Sequence, residues 1–382
     1  MRHNVFVTSK NMKIAFDAKR AYHNSTGLGN YSRDTIRILS QFHPSNQYFL
    51  FNPKKGNNFN IDASNTSEVL PDSKFYRKFS SVWRQGAIVN QLKRTGIEIY
   101  HGLSNELPKG INKSGIKTVV TIHDLIFIRF PELYPPIDRR IYKAKFKHAC
   151  KIADVITAIS EQTKRDIVEF FGMNPDKIKV IYQGCHQVFQ KGIDESALEK
   201  VRKKYQLPKK FILNVGTIEE RKNLLSAIKA IKDLDEVHLV VVGKETNYTK
   251  QVVSYITDNQ LDKRVSFLKN ISIDELAVLY QLATIFVYPS IFEGFGIPII
   301  EALFSKTPVI SSTGSCFSEA GGPDSIYCEP YDIPVLRQSI EKLWHDENLR
   351  KNMAQKGLSY AQKFTDTIIA DNLANLYKQL MS

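Results

Sequence analysis

The sequence predicts an α/β protein with two doubly wound parallel-sheet domains. From Met12 to about Phe189, apolar strand-like runs alternate with helix-like runs, and the alternation restarts at Phe211. This pattern is typical of parallel sheets covered by helices on both faces. The 382 residues, 42% of them hydrophobic, suffice for two such cores. We therefore expect domains at 1–189 and 190–365 that face a central cleft, where ligands bind at the carboxyl ends of the strands.

The individual elements follow from this alternation. In the first half the predicted strands are 13–16, 97–101, 118–122, 155–158 and 178–181, and the predicted helices are 31–41, 82–93, 137–151 and 161–171. In the second half the predicted strands are 211–215, 238–242, 265–267, 285–288 and 308–311. Two helix starts are marked there, by the capping box Ser272-Ile-Asp-Glu275 and by Pro298.

The two flanks of the second half have different patterns. Residues 190–204 are polar and charged, which suits a linker followed by the start of a helix. Within 366–380 the apolar residues that share one helical face are Ile369, Leu373, Leu376, Tyr377 and Leu380. We expect this stripe to pack either locally on the second domain or, as a returning helix, on the first.

The formal net charge of +14 lies entirely in the first half. Residues 1–190 hold 29 Lys+Arg against 15 Asp+Glu, whereas the remaining residues hold 24 of each. A one-sided basic surface favours an anionic partner, such as an acidic substrate, nucleic acid or the anionic inner leaflet of a membrane. A solvated surface without a partner is the alternative. Because no nucleic-acid-binding module is recognisable, we expect no nucleic-acid partner.

One predicted helix concentrates part of this charge. Its basic residues are Arg139, Arg140, Lys143, Lys145 and Lys147. These side chains could form a membrane-facing strip together with Ile141, Tyr142 and Phe146. The same three apolar residues could instead form the core face of the helix.

Several features bear on location. The four cysteines are scattered, at Cys150, Cys185, Cys316 and Cys328. Without a C-x-x-C pair they favour a reducing compartment and no structural zinc. The N-terminus lacks the regions of a signal peptide, and the most apolar stretch, 284–304, contains two glutamates and therefore is not a membrane span. We expect a cytoplasmic protein, either free or peripheral on the inner membrane face.

The most informative segment is 288–303. It sets Glu293 and Glu301 eight residues apart in otherwise apolar sequence. Ionised carboxylates are rarely buried without partners. Two glycines between them allow the backbone to approach a ligand closely, and Pro298 favours a helix start with Glu301 in its first turn. Because helix N-termini attract phosphate, the segment predicts a site for a sugar nucleotide, although glutamates with purely structural hydrogen bonds are the alternative.

The motif Glu293-Gly-Phe-Gly-Ile-Pro followed by Glu301 resembles the E-x7-E signature of retaining GT-B glycosyltransferases of glycosyltransferase family 4. The resemblance implies a fold of two Rossmann-like domains. It also implies that Glu293 contacts hydroxyls of the donor sugar and that Glu301 contacts the nucleotide ribose. Backbone contacts to the sugar and diphosphate are implied for Gly294, Phe295, Gly296 and Ile297.

A second motif follows the first strand of the second half. That strand ends at Gly216 and Thr217, and Arg221 and Lys222 then open a predicted helix. Cations at a helix start interact unfavourably with the helix dipole, and a bound anion would offset this cost. A basic pair on the surface without function is therefore the weaker interpretation. The motif resembles the family 4 loop that binds the donor diphosphate. Here Glu220 stands where the family usually has proline, and Thr217 where it often has arginine.

A third motif is Thr121-Ile-His-Asp124, where His123 follows an apolar strand and projects at its carboxyl end. A lone histidine is more often structural than catalytic. In this context His123 resembles the family histidine that contacts the donor sugar and is expected to stabilise the transition state. Asp124 would orient the imidazole or cap the following turn.

Two smaller matches extend the resemblance. Gly27 and Gly29 follow the first strand and resemble the family's glycine-rich loop, which faces the diphosphate, although a tight turn would also explain them. In relatives the backbone just before the capping-box helix contacts the base, which implies Ile271. Matches of this kind run from about residue 12 to 330.

Taken together, the resemblance implies a retaining, metal-independent hexosyltransferase. The predicted catalytic residues are His123, Glu293, Arg221 and Lys222. Arg221, Lys222 and the helix dipole would stabilise the leaving diphosphate without a metal or other cofactor. Because no matched motif supplies a carboxylate nucleophile, a same-side displacement is our working hypothesis. The resemblance implies that a nucleotide diphospho-sugar donor binds mainly the domain at 190–365. A lipid-linked or polysaccharide acceptor of cell-surface glycan synthesis would bind the basic domain at 1–189.

The donor is less closely defined. The segment 215–223 resembles family members that use GDP-mannose, and UDP-sugars are the alternative. A sucrose-synthase-like GT-B enzyme and a non-enzymatic anion- or nucleic-acid-binding protein are the other classes. A nucleic-acid binder would not need paired glutamates in an apolar glycine loop, and its affinity would fall steeply with salt.

Overall fold

The computed structural model describes residues 11–56 and 58–382, which divide into two compact units. The first unit contains residues up to 159, then 163–181 and 366–382. The second unit contains residues 160–162 and 182–365. Each unit is built on one parallel sheet with helices on both sides.

The first sheet has seven strands in the order β3-β2-β1-β4-β5-β6-β7, and every neighbouring pair is parallel. Its strands are β1 Lys13–Asp17, β2 Gln47–Phe51, β3 Thr66–Val69, β4 Ile99–Gly102, β5 Lys117–Ile122, β6 Val155–Ala158 and β7 Ile178–Val180. The strands β1, β4 and β5 occupy the centre of the sheet. Their carboxyl ends therefore meet in the middle of one sheet edge.

The second sheet has six strands in the order β10-β9-β8-β11-β12-β13, again all parallel. They are β8 Ile212–Val215, β9 Leu239–Val242, β10 Val265–Leu268, β11 Ile285–Tyr288, β12 Val309–Ser312 and β13 Ile326–Cys328. The strand order in both sheets reverses direction next to the first strand, β1 or β8. Such a reversal is where ligands bind in open α/β sheets.

The helices are α1 Lys19–His23, α2 Gly27–Phe42, α3 Lys74–Lys78, α4 Ser80–Val82, α5 Ile88–Thr95, α6 Ile126–Arg129, α7 Pro136–Ile152, α8 Glu161–Phe171, α9 Glu195–Lys204, α10 Leu224–Ile231, α11 Thr249–Asp258, α12 Ile273–Leu282, α13 Ile297–Phe304, α14 Phe317–Gly321, α15 Ile333–His345, α16 Glu347–Ala361 and α17 Asp366–Met381. Short 3-10 turns lie at Ile111–Lys113, Pro131–Leu133, Pro175–Lys177, Gln187–Gln190, Glu220–Lys222 and Gln362–Phe364. A π-helical turn at Trp83–Ala87 leads into α5.

The predicted fold class is confirmed, since both units are doubly wound parallel sheets. All ten predicted strands are present with bounds that shift by at most a few residues, and the capping box of α12 forms as predicted. Three strands, β2, β3 and β13, were not predicted. The last two are edge strands of four and three residues with little apolar alternation, so they carry almost no pattern to detect.

Helix α17 belongs to the first unit. Its Asp366 accepts a hydrogen bond from Arg37 of α2 at 2.8 Å. Farther along, the hydroxyl of Tyr377 lies 2.6 Å from Nδ1 of His101, which is buried in β4. Of the two packings considered for the apolar stripe of this helix, the structure shows the returning one.

The division between the units differs from the predicted 189. Residues 182–189 lie with the second unit, because Phe189 packs edge-on against Tyr280 of α12 with ring centroids 5.6 Å apart. Tyr182 stacks on Phe295 at 5.4 Å within the same unit. The polar composition of 190–204 predicts a boundary at 189. The aromatic contacts that place 182–189 in the second unit have no pattern in the sequence, so the earlier boundary was not predictable.

Candidate active site

Glu293 is the centre of a buried charge cluster in the second unit. It lies in the loop between β11 and α13 with 8% of its surface exposed. Its carboxylate is 2.9 Å from Nη1 of Arg221 and 2.5 Å from Nζ of Lys222. The hydroxyls of Ser290 and Tyr288 also donate to it, at 2.6 and 3.1 Å. Glu293 therefore has four partners, two of them cations.

These partners fix the ionisation of the cluster. Burial alone would raise the pKa of Glu293, but the ion pairs with Lys222 and Arg221 outweigh it and lower that pKa to about 2. The pKa of Arg221 is raised because the charges of Glu293 and Glu219 outweigh its own burial. Glu293 and Arg221 are therefore both charged at neutral pH.

The basic pair reaches Glu293 because β8 and β11 are neighbouring strands. Arg221 and Lys222 lie in the 3-10 turn Glu220–Lys222, and Asn223, with a left-handed φ of 54°, connects that turn to α10. The two cations thus precede the helix rather than opening it, which corrects the predicted start. Nη1 of Arg221 also donates to the carbonyl of Phe292, and so holds the glutamate loop directly.

Gly216 and Thr217 begin the loop that carries the basic pair. The amide of Gly216 donates to the carbonyl of Val242 in β9 at 2.9 Å, and its φ is 152°. The carbonyl of Thr217 accepts from the amide of Glu219 at 2.9 Å. Both residues lie at the carboxyl edge of the sheet beside the cluster, as predicted.

The loop from Gly294 to Ile297 is held at several points along its backbone. The Gly294 carbonyl accepts from Ser160 Oγ at 2.7 Å, and the Phe295 carbonyl accepts from Cys316 Sγ at 2.8 Å. Gly296 caps α13 with a φ of 105°, a conformation that favours glycine, and Ile297 is the first helical residue. This loop is therefore a fixed support for Glu293, built from backbone bonds.

Phe295 adds an aromatic anchor to the same loop. Its ring stacks on Tyr182 and meets Phe364 edge-on with centroids 5.6 Å apart. The Lys363 ammonium lies 5.2 Å from the Tyr182 ring centroid. Tyr182 begins the long segment of the second unit and Phe364 nearly ends it, so both ends of that segment pack around the loop.

Glu301 has surroundings unlike those of Glu293. It is the fifth residue of α13 and so lies one residue beyond the first turn in which it was predicted, because the helix begins at Ile297 and not at Pro298. Among the described residues, its side-chain hydrogen-bond partner is Tyr280 of α12, whose hydroxyl donates to Oε2 at 2.8 Å. Burial raises the pKa of Glu301 to about 7, while the Tyr280 hydrogen bond acts in the opposite direction.

Ile271 is more distant in the sheet. It follows β10, which is separated from β8 by β9, and it immediately precedes the Ser272 cap of α12. Its place at the carboxyl edge agrees with the prediction. Among the contacts of the described residues, none joins Ile271 to the Glu293 cluster.

His123 lies in the first unit, directly after β5, with 6% of its surface exposed. Its Nε2 is 2.9 Å from the carbonyl of Leu103, and its amide donates to Oδ1 of Asn105 at 2.9 Å. Since a carbonyl only accepts, Nε2 carries the proton of the neutral ring and Nδ1 is an acceptor. Burial and, to a smaller extent, the charge of Arg20 lower the pKa of His123 to about 4, although the Leu103 hydrogen bond acts in the opposite direction. The ring is therefore neutral at pH 7.

The glycine pair Gly27 and Gly29 occupies the first turn of α2, which starts four residues earlier than predicted. Asn24 Oδ1 accepts from the backbone and hydroxyl of Thr26 and from the amide of Gly29. A Cβ on Gly29 would lie 1.8 Å from the Asn24 carbonyl oxygen, whereas one on Gly27 would meet nothing within 4 Å. The close turn on Asn24 therefore requires glycine only at position 29.

Three site residues were not predicted from the sequence. Tyr288 and Ser290 belong to the same segment as Glu293 and lie at the end of β11, so their position could have indicated them. The role of Tyr280 was not predictable, because in the sequence it occupies an ordinary apolar position of a helix. Its contact with Glu301 arises only where α12 and α13 pack together.

Comparisons with known proteins agree with this architecture. Residues 198–359 match the family model described as Glycosyl transferases group 1, and residues 49–186 match the model Glycosyltransferase Family 4. The first match lies within the second unit. A solved glycosyltransferase from Rickettsia africae superposes with a TM-score of 0.75 at 18% identity, covering 98% of this chain and 99% of that one. The two units therefore have the fold of GT-B glycosyltransferases, and two glycosyltransferase family models match separate parts of the chain.

Two bacterial relatives with assigned activities are similar to this chain in sequence. The chain is 26% identical to O-antigen chain mannosyltransferase B of Escherichia coli, over 97% of this chain and all of the relative. It is 31% identical to O-antigen chain mannosyltransferase RfbU of Salmonella typhimurium, over 59% of this chain and 60% of that protein. In the part of the chain that the structure describes, no helix is both long and apolar enough to cross a bilayer.

Proposed function

We propose that this glycosyltransferase transfers a hexose, with mannose favoured, from a nucleotide diphospho-sugar to a lipid-linked or polysaccharide acceptor in cell-surface glycan synthesis. The observation that carries the proposal is the buried cluster of Glu293 with Arg221 and Lys222 at the reversal point of the second sheet. The names of the two relatives, both O-antigen mannosyltransferases, support the choice of sugar and pathway.

The charge of the cluster suits a leaving diphosphate. Arg221 and Lys222 both pair with Glu293, and Arg221 is also 2.6 Å from Glu219, so two carboxylates now balance the two cations. A diphosphate beside the two cations would replace part of the negative charge that Glu293 now supplies. Preorganised cations that face a developing negative charge are the largest usual source of catalysis in such transfers. We therefore assign the leaving group to Arg221 and Lys222.

Glu293 would then turn its acceptor oxygens to the sugar hydroxyls. Its low pKa keeps it ionised, so it accepts hydrogen bonds from hydroxyl groups at every physiological pH. Glu301, near its own pKa at neutral pH, would take the ribose hydroxyls. The hydroxyl of Tyr280, which now bonds Glu301, fixes the carboxyl orientation for that contact.

His123 would act as a neutral hydrogen-bonding group. Its Nε2 proton is engaged by the Leu103 carbonyl, which fixes the ring and leaves Nδ1 as an acceptor for a sugar hydroxyl. The ring lies edge-to-face on Tyr31 at 4.6 Å, which further restricts its rotation. We propose transfer with retention by same-side displacement and without a metal. A trapped glycosyl–carboxylate adduct would contradict this route.

The basic surface of the first unit would face the membrane that carries a lipid-linked acceptor. On α7, Ile137 is 71% exposed and Ile141 44% exposed, beside Arg139, Arg140 and Lys143. Phe146 packs instead on Phe127, with ring centroids 5.3 Å apart, and Lys145 donates to Glu106, so these two residues do not belong to the predicted strip.

Cosedimentation with lipid vesicles tests the membrane contact. More protein should sediment with phosphatidylglycerol vesicles than with phosphatidylcholine vesicles, and the double variant Arg139→Gln/Arg140→Gln should reduce that amount. Equal amounts of sedimented protein with the two lipids would contradict this role.

The first test of the proposed function is thermal stabilisation by GDP, UDP, ADP and TDP, with and without Mg²⁺, in wild type and Glu301→Ala. A ligand that binds only the folded state raises the unfolding midpoint by an amount set by its excess over Kd. We expect a metal-independent shift by one nucleotide that weakens in the variant. If UDP alone raises the midpoint, the donor is a UDP-sugar and the proposed GDP-mannose donor is wrong. If no nucleotide raises the midpoint, the proposal of an active donor site is contradicted.

Retention needs its own measurement. The donor for this measurement is the α-linked sugar of whichever nucleotide stabilises the protein. The product should also be α-linked, and the one-bond C–H coupling constant of its anomeric carbon, measured by NMR, shows the linkage. A β-linked product would contradict a retaining transfer.

A further inference from the structure

The turn after β12 holds the main chain of Glu293. The hydroxyl of Ser315 accepts a hydrogen bond from the Glu293 amide at 3.1 Å and donates to the Glu293 carbonyl at 3.0 Å. A serine hydroxyl has one proton and two acceptor lone pairs, so one side chain can bond both backbone groups of the glutamate. Ser315, 22 positions away in the sequence, thus fixes Glu293 by its main chain.

A second side chain of this turn supports the same loop. The Cys316 Sγ lies 2.8 Å from the Phe295 carbonyl and 3.3 Å from the Glu293 carbonyl. Because the thiol has one proton and its shorter contact is to Phe295, Ser315 is the main donor to the Glu293 carbonyl. Cys316 is fully buried and contributes to the support of the loop, whereas Ser315 bonds Glu293 directly.

The order of the strands explains how Glu293 is held from two sides. Strand β11, which leads into the glutamate loop, lies between β8 and β12. From the β8 side, Arg221 pairs with the Glu293 carboxylate, and the Arg221 carbonyl accepts from the amide of Ile291 at 2.8 Å. From the β12 side, Ser315 bonds the backbone of the same glutamate. The side chain and the main chain of Glu293 are therefore fixed by different neighbours.

The backbone conformation of Ser315 is an independent observation. Its φ is 46°, in the left-handed region, and the preceding Gly314 has a φ of 74°. The left-handed region is sterically unfavourable for a residue with a Cβ, and glycine avoids that cost. Such conformations persist where the surrounding structure fixes them, and they cluster at functional sites. At position 315 the serine supplies the two bonds to Glu293, which a glycine would not.

We propose that Ser315 is a positioning residue for the donor sugar. The direction of a Cα–Cβ bond follows from the positions of the amide and the carbonyl of its residue. By fixing both groups of Glu293, Ser315 sets the direction in which the carboxylate faces the sugar hydroxyls. The assignment rests on the proposed function, in which Glu293 contacts the sugar while Arg221 and Lys222 contact the diphosphate.

The backbone bonds matter most when the donor is bound. The proposed diphosphate interacts with Arg221 and Lys222, the same cations that now hold the Glu293 carboxylate. The Ser315 bonds involve neither cation and therefore remain when the diphosphate is present. They would keep the carboxylate within the distance of about 2.5–3.0 Å that hydrogen bonds from hydroxyl groups require.

Two substitutions separate the hydroxyl from the backbone strain. Ser315→Ala removes the hydroxyl alone, whereas Ser315→Gly also removes the steric cost of the left-handed φ. The unfolding midpoint of Ser315→Gly should lie within about 3 °C of wild type, because the relief of strain offsets the lost hydrogen bonds. Ser318→Ala, which alters an exposed serine of α14, is the matched control.

Hydrogen exchange, measured by NMR on the full chain without ligand, tests the contact itself. The Glu293 amide should exchange about fivefold faster in both Ser315 variants, since each loses the acceptor of that amide. The Ile291 amide, which donates to the Arg221 carbonyl, should exchange as in wild type. Equal acceleration at both amides would show general loosening of the loop and would contradict a specific contact.

Calorimetric titration with GDP and GDP-mannose tests the role in sugar binding, with UDP and UDP-glucose in their place if UDP is the nucleotide that stabilises the protein. The Kd of the nucleotide sugar divided by that of the nucleoside diphosphate should rise about tenfold in both Ser315 variants, because a hydrogen bond to a charged group contributes about that factor. The Kd of the nucleoside diphosphate alone should change by less than about twofold. Ser318→Ala should match wild type for both ligands.

Three results would overturn the positioning role. These are unchanged exchange of the Glu293 amide, a wild-type ratio of the two Kd values in both Ser315 variants, and an equal loss of affinity for both ligands. Failure of the proposed function has a different signature. If no nucleotide binds wild type while exchange of the Glu293 amide still depends on Ser315, the contact stands and the assignment to a donor sugar fails with the proposed function.

Discussion

Glu293 and Glu301 lie eight positions apart in one motif, yet the fold gives them opposite electrostatic surroundings. Glu293 meets two cations and two hydroxyls, and its pKa falls to about 2. Glu301 meets one tyrosine hydroxyl, and burial raises its pKa to about 7. The comparison teaches that the spacing of the motif does not set the charge state. Which neighbouring strand or helix supplies the partners decides it.

The largest expected effect follows from removing the charge of Glu293. Glu293→Gln leaves Arg221 and Lys222 buried without their counter-charge, which should cost about 3–5 kcal/mol of stability and lower the unfolding midpoint by several degrees. Pyrophosphate should restore part of the midpoint, because it supplies negative charge to the same cations. Differential scanning calorimetry measures both effects.

Glu219→Gln is the control for that experiment. Glu219 also pairs with Arg221 but is more than a third exposed, so its loss should cost less than about 1 kcal/mol. Equal destabilisation by the two variants would show that Glu293 is not the electrostatic centre of the cluster.

The second prediction concerns pH and Glu301. The unfolded chain ionises this residue near its ordinary pKa of 4.5, while the folded protein keeps the proton up to about 7. The contribution of Glu301 to stability is therefore full below pH 4.5 and is lost as the pH rises to 7, by at most about 3 kcal/mol. Glu301→Gln has no proton to lose and should become more stable than wild type above pH 7.

The measurement is the difference between the unfolding midpoints of wild type and Glu301→Gln across pH 4.5–8. Glu293 has the opposite pH dependence, because its lowered pKa contributes stability above pH 4.5 that is lost as the pH falls towards 2. Parallel curves for wild type and Glu301→Gln would contradict the raised pKa.

A third prediction separates charge from packing in the basic pair. Lys222→Met keeps the aliphatic stem but removes the ammonium that lies near Glu293 and Tyr288. The Kd of the stabilising nucleoside diphosphate should rise about ten- to a hundredfold, since hydrogen bonds to charged groups contribute about 1.5–3 kcal/mol. Calorimetric titration of Lys229→Met, a lysine of α10 over Tyr255, is the control. Equal affinities in the two variants would remove Lys222 from the diphosphate site.

The smallest effect is expected for Tyr280→Phe. The Tyr280 hydroxyl lowers the pKa of Glu301, so its removal should raise that pKa and extend the pH-dependent loss of stability above pH 7. At pH 5, where Glu301 is protonated, the variant should lose only about 1 kcal/mol. The same series of unfolding midpoints detects the change. An unaltered pH profile would mean that the hydrogen bond does not influence the carboxyl group.

Much of the fold was predictable because parallel strands are buried on both faces and therefore leave continuous apolar runs. The strands β1, β6, β8 and β11 agree closely with the predicted ranges for this reason. The edge strands β3 and β13 were missed because exposure removes that pattern. Glu293, Arg221 and Lys222 were found because charged residues at the ends of apolar strands are conspicuous.

The partners of those residues were far less predictable. Tyr280 is 21 positions from Glu301, and Arg84 is 67 positions from Asp17, so neither contact has a local pattern. His123 was indicated by its strand-end position, but its protonated nitrogen follows only from the Leu103 carbonyl.

By itself, the sequence determined two parallel-sheet domains, an apolar stripe on the last helix, and which charged residues stand at the strand ends, because burial and periodicity act on neighbours along the chain. Tertiary structure decided that the stripe packs in the first unit through Tyr377, and that Glu293 is ionised whereas the pKa of Glu301 is raised to about 7. These outcomes depend on desolvation and on partners brought together across the fold, and neither quantity is local in sequence.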